Sequence, residues 1–135
     1  MDKRIENQHF TGERALFKCH DKTIVHCLFD DGESPLKEGR NLTVDNCTFG
    51  WKYPLWYGEN HKVSNSTFLE MARSGLWYTN HSVFDNCLLI APKLFRRSHD
   101  LFLSNIEFKD AKETLWTCDK VSLKNVKAEN GDYFL

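Results

Sequence analysis

The sequence predicts a right-handed parallel β-helix of about six rungs, each 18–21 residues long with three short strands. Three observations carry this. An apolar-x-Asn-x-x-apolar frame recurs along the whole chain, a second column of leucines keeps the same period, and no useful stretch of helical periodicity interrupts them.

The frame is clearest at Val44-Asp45-Asn46-Cys47-Thr48-Phe49. It returns at Ile5/Asn7/Phe10, Val63/Asn65/Phe68, Phe84/Asn86/Leu89 and Leu103/Asn105/Phe108, with His26 replacing the Asn at Ile24/Phe29 and a weakened end at Leu123/Asn125/Ala128. Successive starts lie 19, 20, 19, 21, 19 and 20 residues apart. The second column is Leu16, Leu36, Leu55, Leu76, Leu94 and Leu115, with Tyr133 following. An aromatic comes next at Phe17, Trp56, Trp77, Phe95, Trp116 and Phe134, Lys37 being the exception.

Each unit thus reads as a strand around the Leu, a polar turn, an alternating strand such as Leu42-Thr43-Val44, an Asn corner, and a third strand such as Cys47-Thr48-Phe49. Stacked about 4.8 Å apart, equivalent side chains form ladders. The Asn column turns the chain because Asn tolerates left-handed backbone and its amide bonds neighbouring rungs. Cys27, Cys47 and Cys87 sit one place past that corner, where Ser66, Ile106 and Val126 also occur, so they read as core thiols. Variable rung length disfavours a strict hexapeptide coil, and parallel crossovers are overwhelmingly right-handed. A leucine-rich repeat has similar units, but its apolar-to-Asn spacing differs and it needs a helix-forming stretch that these units lack.

Composition bounds the function. The 135 residues make one domain. Formal net charge is −1 with acids and bases interspersed, which argues against a nucleic-acid partner. No apolar run is long enough for a membrane span or a signal-peptide core, so the expectation is a cytoplasmic protein with reduced cysteines. Four N-x-[ST] matches, at Asn41, Asn46, Asn65 and Asn80, have no role without export.

Five segments combine aromatics with rung position: Phe10–Phe17, Asp31–Glu38, Lys52–Tyr57, Gly75–Tyr78 and Gly131–Phe134. In these the chain resembles a bacterial family, domain of unknown function 3737, within the pectin-lyase-like β-helix superfamily. The resemblance implies a fold rather than an activity. It also implies, since members are about twice this length, that the chain matches their N-terminal half and is either truncated or open at its C-terminal end.

Enzymes of the superfamily place clustered Asp carboxylates, or an Asp-rich calcium site with an Arg or Lys base, on the outer face of one strand column. The corresponding positions here are Lys18, Glu38, Tyr57, Tyr78, Arg96 and Thr117, then Cys19, Gly39, Gly58, Thr79, Arg97 and Cys118. They hold one carboxylate, so no paired-carboxylate or calcium-lyase cluster is visible and no catalytic residue is assigned. Asp30, Asp31 and Glu33 around Gly32 lack the full calcium-loop spacing. His61, His81 and His99 recur at rung spacing, but no acidic ligand recurs with them; no metal or cofactor is expected.

The aromatic column is the strongest candidate surface. With the leucines inward, strand alternation sends Phe17, Trp56, Trp77, Phe95, Trp116 and Phe134 outward. The expectation is a non-catalytic binding module with a glycan-like or other elongated ligand on Trp56, Trp77, Phe95, Trp116, Tyr57, Tyr78, Arg96 and Arg97. The alternatives are a structural or interaction protein that forms homo-oligomers through its C-terminal rung, and a degenerate carbohydrate-active enzyme.

Overall fold

A computed structural model describes residues 3–132. Among them there is no helix, and eleven strands form one parallel sheet wound into a β-solenoid of about six turns. One side of the coil carries β1 (Arg4–Glu6), β3 (Thr23–Val25), β5 (Thr43–Asp45) and β7 (Lys62–Ser64). The next side carries β2 (His9–Phe10), β4 (Leu28–Phe29), β6 (Thr48–Phe49) and β8 (Thr67–Phe68). In the later rungs β9 (Ser82–Leu89), β10 (His99–Phe108) and β11 (Asp119–Ala128) run through the corner and belong to both sides.

The register is the one the repeat predicts. Ile5 pairs with Ile24, Ile24 with Val44, Val44 with Val63, Val63 with Phe84, Phe84 with Leu103 and Leu103 with Leu123. The column past the corner stacks ring on ring. Phe10, Phe29, Phe49 and Phe68 lie 5.1, 5.0 and 4.6 Å apart between centroids, before Leu89 and Phe108 continue the ladder. These apolar columns form the core. Each phenylalanine contributes roughly 2–3 kcal/mol of transfer free energy, plus about 0.5–1.5 kcal/mol per aromatic pair.

The third side departs from expectation. It is a turn with isolated bridges rather than a strand. Alternate residues there, such as Tyr53, Leu55 and Tyr57 or Ser74, Leu76 and Tyr78, have positive φ near 60°, which breaks an extended run. Side-chain alternation survives, with leucines inward.

A second correction concerns Phe95. The bonds from Leu76 N–H to Pro54 C=O, Phe95 N–H to Gly75 C=O and Leu115 N–H to Leu94 C=O put Phe95, not Leu94, in the inward column. Phe95 is fully buried, edge-on to Phe84 at 5.0 Å. The surface position next to Trp77 and Trp116 is taken by Arg96, which bridges to both. Phe134 lies outside the described residues.

The corners follow one rule. At the corner residue φ is near 55°: Asn7, His26, Asn46, Asn65, Asn86, Asn105 and Asn125 in one column, Asp21, Asn41, Asn60, His81, Asp100 and Lys120 in a second. Amides then bond from rung to rung, as in Asn86 Nδ2 to Asn65 Oδ1 at 2.7 Å and Asn60 Nδ2 to Asn41 Oδ1 at 2.7 Å. The inward residue that follows supplies a hydroxyl or thiol. Ser66 Oγ donates to Ser64 C=O at 2.8 Å and accepts Cys47 N–H at 3.2 Å. Cys47 does the same with Asp45 C=O and Cys27 N–H, and Ser82 with Asn80 C=O and His61 N–H. These side chains satisfy buried backbone groups that the turn takes out of the ladder. Burial pushes the Cys47 and Cys87 thiols up to about 11, so they are inert core residues as expected.

His61 occupies such a position between Leu42 and Ser82. It is fully buried; its Nδ1 accepts Leu42 N–H at 3.4 Å while Nε2 has no protein partner. Gly58 makes room for it, since a Cβ there would sit 2.5 Å from Nε2. Desolvation lowers its pKa to about 4.

Two outcomes follow from the corners. Asn86→Ala should lower stability by about 1–2 kcal/mol, from the lost amide bond and from placing Ala in left-handed backbone; an unchanged midpoint in thermal denaturation would contradict the ladder. His61 is neutral in the fold and ordinarily titrates near 6.5, so stability is present above that pH and lost as pH falls toward 4, by about 3 kcal/mol at full protonation. Comparing melting temperatures at pH 7 and 4.5 should show a drop in the native protein that His61→Leu largely removes. The paired difference also cancels exposed His81, whose pKa is raised mainly by its hydrogen bond to Asp100 and whose stabilising effect is lost in the opposite direction, as pH rises. Equal acid sensitivity in both proteins would contradict a buried neutral imidazole.

Candidate functional site

The turn side presents two outward columns because its inward positions are taken by leucines and Phe95. The first column runs Phe17, Lys37, Trp56, Trp77, Arg96 and Trp116; the second runs Lys18, Glu38, Tyr57, Tyr78, Arg97 and Thr117, every member of it with positive φ. The structure therefore brings together seven of the eight predicted site residues, Trp56, Trp77, Trp116, Tyr57, Tyr78, Arg96 and Arg97. It removes Phe95 to the core.

These rings face one another rather than solvent. Trp56 and Trp77 are stacked at 5.1 Å with 10° between planes, and Tyr57 and Tyr78 at 4.7 Å with 3°. Rung spacing is close to the thickness of an aromatic pair, so a ring above a ring stacks automatically. The Trp56 and Trp77 indole N–H groups donate to Ser74 C=O at 2.5 Å and Lys93 C=O at 2.9 Å, which ties each ring to the loop of the following rung. The tryptophans are half-buried, while Tyr57 is 48 % exposed. What the face offers a ligand is a row of ring edges and hydroxyl groups, not a run of open π-faces.

Arg96 completes the stack, its guanidinium carbon 4.3 Å from the Trp77 centroid and 4.9 Å from that of Trp116. Its Nε is buried without a hydrogen-bond partner. Lys37 Nζ lies 5.9 Å from the Tyr57 ring, and Arg14 and Lys18 lie over Phe17 at 5.6 and 5.3 Å.

Beside Tyr57 the surface dips into an open groove of about 690 Å³, lined also by Lys18, His20, Asp21, Glu38, Arg40 and Asn41. It lies between the tyrosine column and the Asp21/Asn41 corner. Asp21 and Glu38 are its carboxylates. Hydrogen bonds from Asn41 and then His20 hold the Asp21 carboxyl below its ordinary pKa. Sequence reasoning missed Arg40, His20 and Asn41 as groove residues. Their signal was the second corner column, obscured where Asp, His and Lys replace Asn.

The other candidates do not form one site. His61, His81 and His99 fall in three different columns, although the His81 and His99 rings meet edge-on at 5.5 Å. His61 is in the core, while His81 contacts Asp100 at 2.8 Å and Glu59 at 3.4 Å and His99 pairs with Asp119. Among the described residues no cluster of His, Cys, Asp and Glu has the arrangement of a metal site. The Asp30–Glu33 turn is explained by packing: a Cβ on Gly32 would fall 2.0 Å from the Gly12 carbonyl oxygen of the adjacent rung. No helix is long and apolar enough to cross a membrane among the described residues.

No curated protein matches this chain. A family model described as "Protein of unknown function (DUF3737)" matches residues 3–135, essentially the full length and the same family to which the aromatic segments pointed. The chain belongs to the DUF3737 family.

Proposed function

We propose that this protein is a non-catalytic binding module whose turn side takes an elongated, glycan-like ligand along the solenoid axis. The supporting observation is the half-exposed Tyr57, stacked on Tyr78 at the rim of the groove that also holds Arg40, Asn41, Asp21 and Glu38. Amide, guanidinium, carboxylate and phenol groups repeating at rung spacing match the hydroxyl-rich edge of an extended saccharide, and the rigid stacked rings lose little entropy on binding. A polar, open groove fits a chain lying on a surface better than a small molecule enclosed in a pocket.

The enzymatic alternative requires a carboxylic acid of raised pKa beside a second carboxylate. Asp21 shifts in the opposite direction. The resemblance to pectin-lyase-like proteins therefore supports a shared scaffold here more than a shared chemistry.

A second reading is assembly. β11 pairs with β10 along one edge, and its other edge has no partner strand among the described residues; Leu123 is 40 % exposed and Val121 and Val126 are half-buried. Unpaired strand edges with apolar side chains beside them favour edge-to-edge association.

Binding to a glycan array, followed by titration of the best ligand, tests the first reading. Tyr57→Ala should weaken binding about tenfold or more, measured at a temperature where the variant, less stable by the lost ring stack, is still fully folded; an array without signal, or full binding by the variant, would refute it. Sedimentation over a range of concentrations tests the second. Self-association should appear as concentration rises, and a monomer at all concentrations would exclude it.

A further inference from the structure

The binding face carries a charge imbalance that the whole chain does not. Together with the column that precedes them on each rung (Arg14, Ser34, Tyr53, Ser74, Lys93 and Glu113), the two outward columns contain six cations, Arg14, Lys18, Lys37, Lys93, Arg96 and Arg97, against two carboxylates, Glu38 and Glu113, with Asp21 a third across the groove. The full chain has 18 basic and 19 acidic residues. Only one of the six cations lies within ion-pair distance of a carboxylate among the described residues, Lys93 with Glu113 at 3.7 Å. Elsewhere exposed bases do find acids, as Lys109 does with Glu107 at 2.8 Å.

Four of the remaining cations are held over aromatic rings instead. The difference matters chemically. A carboxylate partner would fix a cation and cancel its charge; a ring fixes it and leaves the charge and the outer N–H donors available. Arg96 is the extreme case, lying over both Trp77 and Trp116 with its Nε shielded, so that the terminal amino groups remain for a ligand. Arg97 adds an exposed second guanidinium one column over, beside the tyrosines. A planar guanidinium favours paired oxygens of carboxylate or sulfate.

Resting on the glycan reading above, we infer that the ligand is an acidic glycan, its carboxylate or sulfate groups met by Arg96 and Arg97 on one rung and by Lys37 three rungs away. The aromatic ladder acts as the scaffold that holds these cations in place. Because several charges act together on an exposed face, binding is salt-dependent.

Dextran sulfate, carboxymethyl-dextran and neutral dextran of matched length separate the sources of charge on one backbone, with an oligodeoxythymidylate as the non-glycan polyanion. The native protein should bind one or both acidic dextrans about tenfold or more tightly than neutral dextran, with affinity falling as salt is added. The double variant Lys37→Gln/Arg97→Gln, which leaves the tryptophan stack intact, should lose about tenfold in that affinity at unchanged melting temperature. Arg96→Gln should lose at least as much. Equal binding of neutral and acidic dextrans would overturn the charge inference and leave the glycan reading standing. Failure to bind any dextran would overturn both. Tighter binding of the oligodeoxythymidylate than of either acidic dextran, or a double variant that binds like the native protein, would also overturn the acidic-glycan assignment.

Discussion

Every rung must turn its corners without breaking the parallel hydrogen bonds that join it to the rungs above and below. A corner residue in left-handed backbone accomplishes the turn, and the next residue faces inward with a buried N–H that the neighbouring carbonyls no longer reach. The protein answers with a small side chain that both donates to its own strand and accepts from the preceding rung. Ser66, Ser82 and Cys47 do both, and Cys27 and Cys87 make the donating bond at other heights. It accounts for a cysteine-rich interior without disulfides, and for hydroxyls in a core otherwise made of Phe, Leu, Ile and Val. His61 shows the cost when the device is filled by a larger group: the imbalance is an orphaned nitrogen and an acid-sensitive core.

Much of this was legible in the chain. The column through Ile5, Val44 and Phe84 appears with its register because alternation and burial impose apolar residues at one height in each rung. The column through Leu16 and Leu36 misled at one place, where Leu94 and Phe95 are adjacent and both buried. The spacing held the answer: taking Leu94 gives steps of 18 and 21, whereas Phe95 gives 19 and 20, the steps that Phe84, Leu103 and Leu123 show beside it. Two columns wound on one coil share one period, so a disagreement between them marks an error of register. The third side was not legible as a turn, because left-handed φ at Leu55 or Tyr57 leaves no mark on the apolar pattern. The second corner column was hidden for a similar reason. Any residue able to adopt that backbone serves, and Asp21, His81 and Lys120 do so beside Asn41 and Asn60.

The candidate face shows how a repeat that builds a core also shapes a surface. Outward aromatics at one height per rung were evident from Trp56, Trp77 and Trp116, but their mutual stacking follows from rung spacing and closes the faces that a single exposed ring would leave open. The loop carbonyls of Ser74 and Lys93 then fix the indoles. Where a rung lacks an aromatic in this column, a cation takes its place, Lys37 on one side of the tryptophans and Arg96 among them. Substitution of a flat cation for a flat ring preserves the stack while changing what the surface attracts.

The direction of the inter-rung bonds has a mechanical consequence. All of them run nearly along the solenoid axis, so a load applied across one rung is shared by the covalent chain and a full turn of core, whereas a load along the axis is borne by a single layer of hydrogen bonds and stacked rings at a time. Pulled from its two ends, such a coil unzips layer by layer at modest force, while shearing sideways meets every contact of a layer at once. A chain anchored at one end and gripping an extended ligand along its flank would meet pull along that ligand on the axis, the direction in which single layers give way, and drag across it in shear, the direction in which the coil is stiffest.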